Sequence, residues 1–218
     1  MSMFEFIGPQ QCTISLALLA ALGLAKPALP QQRPERTLDE IKTEAIHRAE
    51  NGMYPLIGLD PVDVKEAFAS IKTRDKDEWA AAFMGVGDRY MTEAKALEAT
   101  NPAKANADYI RAWRIYSFGR WPVPSSPGKQ KSYAKALEAF QAHAKFLEPP
   151  LQVVQIPFEG KEIIGYLRLP KDAKAPVPLV IAVNGLDSRK EDLSESFAGI
   201  LPFGIGFVAV DGPGTGQA

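Results

Sequence analysis

Apolar residues recur at three- and four-residue intervals from Thr37 to Pro149, then at every second residue or in short unbroken runs. The first pattern predicts one-sided helices and the second predicts strands. Thr37-Leu38-Asp39-Glu40 fits a capping box, with Leu38, Ile41, Ala45 and Ala49 following at helical spacing until Gly52 and Pro55 end the segment. Asp60-Pro61 opens a second helix, Asp as N-cap and Pro where its missing N–H costs nothing, with Val64, Phe68 and Ile71 on one face. A third starts near Asp75 and carries the stripe Trp79, Phe83, Val86, Tyr90, Ala94 and Leu97. Gly85 and Gly87 within it lower helix propensity, which predicts close packing or a bend. Asn101-Pro102 begins a fourth, with Ala105, Tyr109, Trp113 and Tyr116 on one face, broken by Gly119, Pro122, Pro124, Pro127 and Gly128. A fifth carries Tyr133, Leu137, Phe140, Ala144 and Leu147 and is stopped by Pro149-Pro150.

The period then changes to two. Val154, Ile156 and Phe158, a turn at Gly160, and Ile163, Gly165, Leu167 and Leu169 read as a β-hairpin. Two all-apolar runs follow, Leu179–Val183 and Phe207–Val210, each stopped by a polar, glycine-containing loop. They read as neighbouring buried parallel strands. Ser188–Leu201 between them has room for one helix, with Leu193, Phe197 and Ile200 facing the sheet. The expected fold class is therefore α/β, an all-helical part over residues 37–149 followed by a hairpin and parallel strands over 150–218.

The 218 residues carry 25 basic and 26 acidic side chains, a net charge of −1, so no large field favours nucleic acid or a membrane surface. A single cysteine, Cys12, excludes an intramolecular disulfide framework, and with only two histidines a structural zinc site is not expected. Residues 1–36 read as a signal-like or disordered extension and linker. Cys12–Ala25 is nearly all apolar but too short to span a bilayer, and no Lys or Arg precedes it. A cytoplasmic and an exported location both stay open.

Ligands of open α/β sheets sit outside the carboxyl ends of the strands, which makes the two glycine-containing loops the candidate site. Asn184-Gly185-Leu186 can turn sharply and present backbone N–H groups to an oxyanion, or can be an ordinary β–α turn with Asp187 or Ser188 capping the next helix. Asp211-Gly212-Pro213-Gly214-Thr215-Gly216 is neither a Walker A nor a dinucleotide fingerprint and reads as a rigid pocket wall. Ser188-Arg189-Lys190-Glu191-Asp192 reads as a helix cap plus a solvated face. His47 and His143 read as surface or boundary residues rather than bases. Tyr116, Arg120 and Trp121, at a helix break, read as a packed corner or as a pocket lining. No G-x-S-x-G occurs in the chain.

Ile156-Pro157-Phe158-Glu159-Gly160, Gly165-Tyr166-Leu167-Arg168-Leu169-Pro170, Asn184 through Glu191 and Asp211 through Gly216, in this order, resemble the α/β-hydrolase family and its FrsA-like esterase branch. The resemblance implies a helical cap over a partial α/β-hydrolase core, truncated before the nucleophile elbow. It implies hydrolysis of a small ester, or of a carbon–carbon bond beside a ketone, by Ser, Asp and His. Leu186 and Gly185 would form the oxyanion loop, Leu186 giving the backbone N–H, and Asn184, Asp187, Tyr116, Arg120 and Trp121 would contact substrate. No cofactor or metal is implied. The partners implied are a small-molecule substrate, a second copy of the chain, or a complementing carboxyl-terminal half. The chain is expected to be an amino-terminal portion that is inactive alone. A non-catalytic binding protein using the helical part is the alternative.

Overall fold

Polar side chains set where each helix begins. In the computed structural model, which describes residues 35–174 and 176–217, α1 (Leu38–Glu50) starts at Thr37, whose Oγ1 accepts from Glu40 N–H at 3.2 Å while Glu40 Oε2 accepts from Thr37 N–H at 2.8 Å. Asp60 caps α2 (Pro61–Ser70), Asp75 caps α3 (Lys76–Leu97), and Asn101 caps α4 (Pro102–Gly119). Ser126 caps α5 (Pro127–Ala144), so Pro127 and Gly128 open this helix instead of only breaking the previous one. The α5 helix ends at Ala144, and Leu147 lies beyond it, before the expected stop at Pro149. The signal-like Cys12–Ala25 lies outside the described residues, and among those described no helix is long and apolar enough to cross a membrane.

The five helices share a core built around Phe83, which meets Phe68 edge-on at 5.4 Å and Phe118 at 4.9 Å. Trp79 packs against the same rings and donates its Nε1–H to the Phe118 carbonyl at 3.1 Å. Gly87 lets α4 approach α3, since a Cβ there would lie 2.5 Å from the Tyr116 ring. Gly85, two residues earlier and so on the opposite side of the helix, faces open space.

After α5 the chain forms a four-stranded sheet from β1 (Gln152–Phe158), β2 (Lys161–Arg168), β3 (Leu179–Val183) and β4 (Gly206–Val210), in the order β1-β2-β4-β3. Glu159 and Gly160 both take positive φ, as a two-residue hairpin turn with the right twist requires. The β1–β2 and β2–β4 pairs are antiparallel and β3–β4 is parallel. Between β3 and β4 come α6 (Lys190–Phe197) and a 3-10 turn (Ala198–Phe203), with Leu193, Phe197 and Ile200 against Phe207 and Ala209 as the spacing predicts. Tyr166 of β2 joins the helical core by stacking on Phe140 at 5.4 Å.

The expectation of two buried strands holds for β4 alone. It lies between β2 and β3, whereas β3 is an edge strand whose Leu179, Ile181 and Val183 stay exposed. The expected solvated face at Arg189-Lys190-Glu191 is also corrected, because all three side chains are buried. Lys190 Nζ lies 3.1 Å from Asp211 Oδ2 and 2.7 Å from Glu191 Oε1, over the Tyr166 ring at 4.9 Å. Asp211 Oδ1 also accepts the Lys190 N–H at 2.9 Å, so the residue after β4 satisfies the first amide of α6. The periodicity could not reveal this, since the partner lies 21 residues away. Burial pushes the Glu191 carboxyl above its ordinary range, with the Lys190 ammonium pulling it part of the way back.

Two predictions follow from the packing. Gly87→Ala destabilises the protein by about 1–3 kcal/mol through overpacking, while Gly85→Ala stabilises it by about 0.5–1 kcal/mol, both read from urea unfolding by circular dichroism. A raised carboxyl means that the folded chain holds its proton to higher pH than the unfolded chain. The Glu191 contribution is therefore present at low pH and lost as pH climbs above the ordinary carboxylate range. Glu191→Gln, which cannot ionise, shows a shallower loss of stability as pH rises above the ordinary carboxylate range than the natural chain in a urea series. Equal slopes contradict the assignment.

Candidate active site

Both loops leave the same end of the sheet because β3 and β4 run parallel, with Val183 paired to Val210. Asn184 stitches them together. Its Oδ1 accepts the Gly212 N–H at 2.7 Å, and its Nδ2 donates to Thr215 Oγ1 at 2.9 Å and to the Ser188 carbonyl at 3.1 Å. Thr215 Oγ1 in turn donates to the Gly212 carbonyl at 2.7 Å. Gly216 closes the second loop at φ 52°, where a Cβ would fall 2.0 Å from the Asp211 carboxylate. The loop is rigid, as the glycine-rich sequence predicts, but none of its residues lines the cavity beside the first loop, so it does not form the expected pocket wall.

The first loop is an ordinary turn in neither of the expected ways. Ser188 does not cap α6, since its Oγ accepts the Gly185 N–H at 3.1 Å and the N-cap is Arg189, whose N–H donates to Asp192 Oδ2 at 2.8 Å. Three carbonyls of the loop are engaged by guanidinium groups. Arg189 Nη1 donates to Leu186 O at 3.1 Å and to Ser188 O, and Arg120 Nη1 donates to Asp187 O at 3.0 Å. The N–H groups of Leu186, Asp187 and Ser188 donate to no group among the described residues. Leu186 itself is 76% exposed.

Beside this loop lies a cavity of about 300 Å³. Helical-part residues Tyr54, Trp113, Phe118 and Trp121 supply its apolar walls, and Asp187 and Ser188 close it from the loop. Trp121 meets Tyr54 edge-on at 5.4 Å. Burial and the adjacent Asp187 carboxylate raise the Tyr54 hydroxyl above its usual range, which keeps it a proton donor at the cavity.

The residues singled out from sequence separate into three groups. Arg120, Trp121 and Asp187 line the cavity, and Asn184, Gly185 and Leu186 belong to the loop beside it. Tyr116 is corrected. Its ring is buried against Gly87 and its hydroxyl donates to Asp88 Oδ1 at 2.6 Å, so it sits in the helical core and not in the cavity wall. Arg120 does not pack onto Trp121 either, but lies over Tyr133 at 6.0 Å and reaches the loop.

Sequence reasoning missed Tyr54 and Glu195. Tyr54 belongs to the 51–60 connection, where Met53, Tyr54 and Ile57 are large apolar residues left exposed in a turn-rich stretch, a usable signal. Glu195, on the cavity wall, holds His143 Nε2 at 3.3 Å, and Asn106 Oδ1 lies 2.7 Å from His143 Nδ1. Burial pushes the Glu195 carboxyl up, but the hydrogen bond and charge of His143, with Arg168 and Arg114, outweigh it and leave it below the usual range. His143 is thus a buried boundary residue joining α5 to α6, while His47 is exposed. Among the described residues no cluster of His, Cys, Asp and Glu could hold a metal ion.

Comparison with known proteins gives this geometry a family. The chain is 30% identical over 183 residues to the alpha/beta hydrolase ucsC of an Acremonium species, covering 76% of this chain and 37% of that protein. It is 25% identical over 189 residues to Esterase FrsA of Yersinia pestis, covering 76% and 44%. Among solved structures, the 2,6-dihydroxy-pseudo-oxynicotine hydrolase superposes with a TM-score of 0.60 at 25% identity, over 73% of this chain and 44% of that one. AbyA5, at 16% identity and a TM-score of 0.59, shares the fold. The chain spans less than half the length of each of these relatives. With the FrsA-like esterase family model matching residues 31–218, the chain belongs to the FrsA-like esterases, and its helices and mixed sheet are a partial α/β-hydrolase fold.

Proposed function

We propose that this chain supplies the substrate cap and one oxyanion donor of a serine hydrolase acting on a small ester or ketone. One observation carries the reading. Beside an aromatic cavity, a loop at the carboxyl end of β3 leaves the Leu186 N–H without a partner, while its carbonyls are occupied. A free, pre-aimed N–H is what a developing oxyanion needs, and its orientation costs nothing at the moment of reaction. The relative named an esterase and the structural neighbour named a hydrolase of 2,6-dihydroxy-pseudo-oxynicotine support acyl or carbon–carbon cleavage as the reaction class. Tyr54, Trp113 and Trp121 suit a substrate carrying a flat ring.

The attacking hydroxyl, its acid and base partners and the second oxyanion donor come, in this reading, from the portion of the relatives' length that lies outside the match. The exposed face of β3 (Leu179, Ile181 and Val183) and its free edge suit added strands from such a portion. The nucleophile then forms a covalent acyl intermediate, with the loop amide holding the negative charge of the tetrahedral state.

The purified chain alone is expected to hydrolyse p-nitrophenyl acetate no faster than buffer. Co-expressed with the carboxyl-terminal portion of a FrsA esterase, it gains turnover that falls about 10²- to 10³-fold when Leu186→Pro removes the N–H. Turnover by the chain alone that a serine-directed phosphonate abolishes contradicts the proposal.

A further inference from the structure

Arg120 stands apart from the other cavity residues in what it touches. It is the C-cap of α4, within the helical part, yet it is only 3% exposed and its guanidinium reaches the β3–α6 loop. One nitrogen, Nη1, donates both to the Pro122 carbonyl at 3.1 Å and to the Asp187 carbonyl at 3.0 Å. Its nearest carboxylate, Asp192 Oδ2, is 3.8 Å away, too long for a hydrogen bond. Burial, and after it the charge of Arg189, lower the guanidinium's affinity for its proton. A buried cation beside another cation, engaged mainly with carbonyls, is poorly compensated as a stabilising ion pair. Its contacts make sense as orientation.

The peptide geometry shows what is oriented. In a trans peptide the C=O and the following N–H point in opposite directions, and the cis bonds of this structure all precede proline elsewhere. Fixing the Leu186 carbonyl on Arg189 therefore turns the Asp187 N–H away from Arg189, and fixing the Asp187 carbonyl on Arg120 turns the Ser188 N–H away from Arg120. The Leu186 N–H is set by the turn that Asn184 and Ser188 close. The loop thus offers three successive partnerless N–H groups, each with its direction set by a named contact. Arg189 belongs to the same loop, so Arg120 is the clamp whose position depends on the helical part.

We propose that Arg120 is a positioning residue for the oxyanion loop, which makes the presentation of its amides, the Ser188 N–H directly and its neighbours through the short loop, depend on the seating of the helical cap. This rests on the hydrolase reading for its catalytic meaning, but not for its structural content. A cap displaced by substrate or product carries the Asp187 carbonyl with it and spoils the amide array. The cap thus gates charge stabilisation as well as access.

The test uses nitrogen-15 relaxation and amide shifts of the full chain. In the natural chain, Leu186, Asp187 and Ser188 show order parameters near 0.85, and in Arg120→Met they fall below about 0.6. Their shifts move, while amides in α3 and α5 stay in place. Arg120→Lys, a single point donor on a flexible stem, gives intermediate values, and millimolar ethylguanidinium restores the Arg120→Met loop. Arg114→Met, at the same cavity, leaves the loop unchanged. Unchanged loop amides in Arg120→Met, or changes spread evenly through the helices, overturn the proposal.

A second readout separates the two claims. In enzyme complemented with a FrsA carboxyl-terminal portion, Arg120→Met lowers kcat about tenfold, with KM altered less than about twofold, the signature of a misaligned donor. Full activity in that variant overturns the positioning role and leaves the hydrolase reading standing. No activity in the natural complemented chain, with the loop still responding to Arg120, overturns the hydrolase reading alone.

Discussion

A buried ammonium holds the functional end of this protein together. Lys190 is fully enclosed, its ammonium facing Asp211 and Glu191 and lying over the Tyr166 ring. Desolvating three ionisable groups is expensive unless their hydrogen bonds are nearly complete. The loops comply. Asp211 accepts from Lys190 Nζ, from the Lys190 backbone and from Gln217 N–H, and the chain can pass over it only because Gly216 lacks a Cβ. The result fixes the start of α6 against the end of β4, and with them the two loops at that end of the sheet.

That tie has a consequence for the cavity. The β3–α6 loop is bounded at its far end by Lys190 and at its near end by Asn184, which grips the second loop through Gly212 and Thr215. A short segment pinned at both ends has few conformations, so the direction of its amides becomes a property of the fold. The remaining freedom is removed from outside, by Arg120. Partnerless loop amides and an aromatic cavity wall thus come from different parts of the chain.

Much of this arrangement was legible in the sequence. Capping residues and apolar stripes located the helices because both signals are local: Thr37 with Glu40, Asp60 before Pro61, and the Trp79 to Leu97 stripe. The paired runs at Leu179 and Phe207 located the strands and the loops. What escaped was non-local. Lys190 and Glu191 look like a solvated helix start until Asp211 is brought beside them, and Tyr116 looks like a cavity residue until its hydroxyl is seen on Asp88. The exposure of β3 depends on strand order, with β4 inserted between β2 and β3, and a run of apolar residues carries no record of its neighbours. Tyr54 entered the cavity wall from a connection with no periodicity at all.

The account stands or falls on Lys190 and Asp211 acting as one unit. A double-mutant cycle with Lys190→Met and Asp211→Asn, read by urea unfolding, measures it. Coupling of about 1 kcal/mol or more is predicted, since the two side chains share hydrogen bonds away from water. Additive effects, with coupling within about 0.3 kcal/mol of zero, would show that the loops are held by something else.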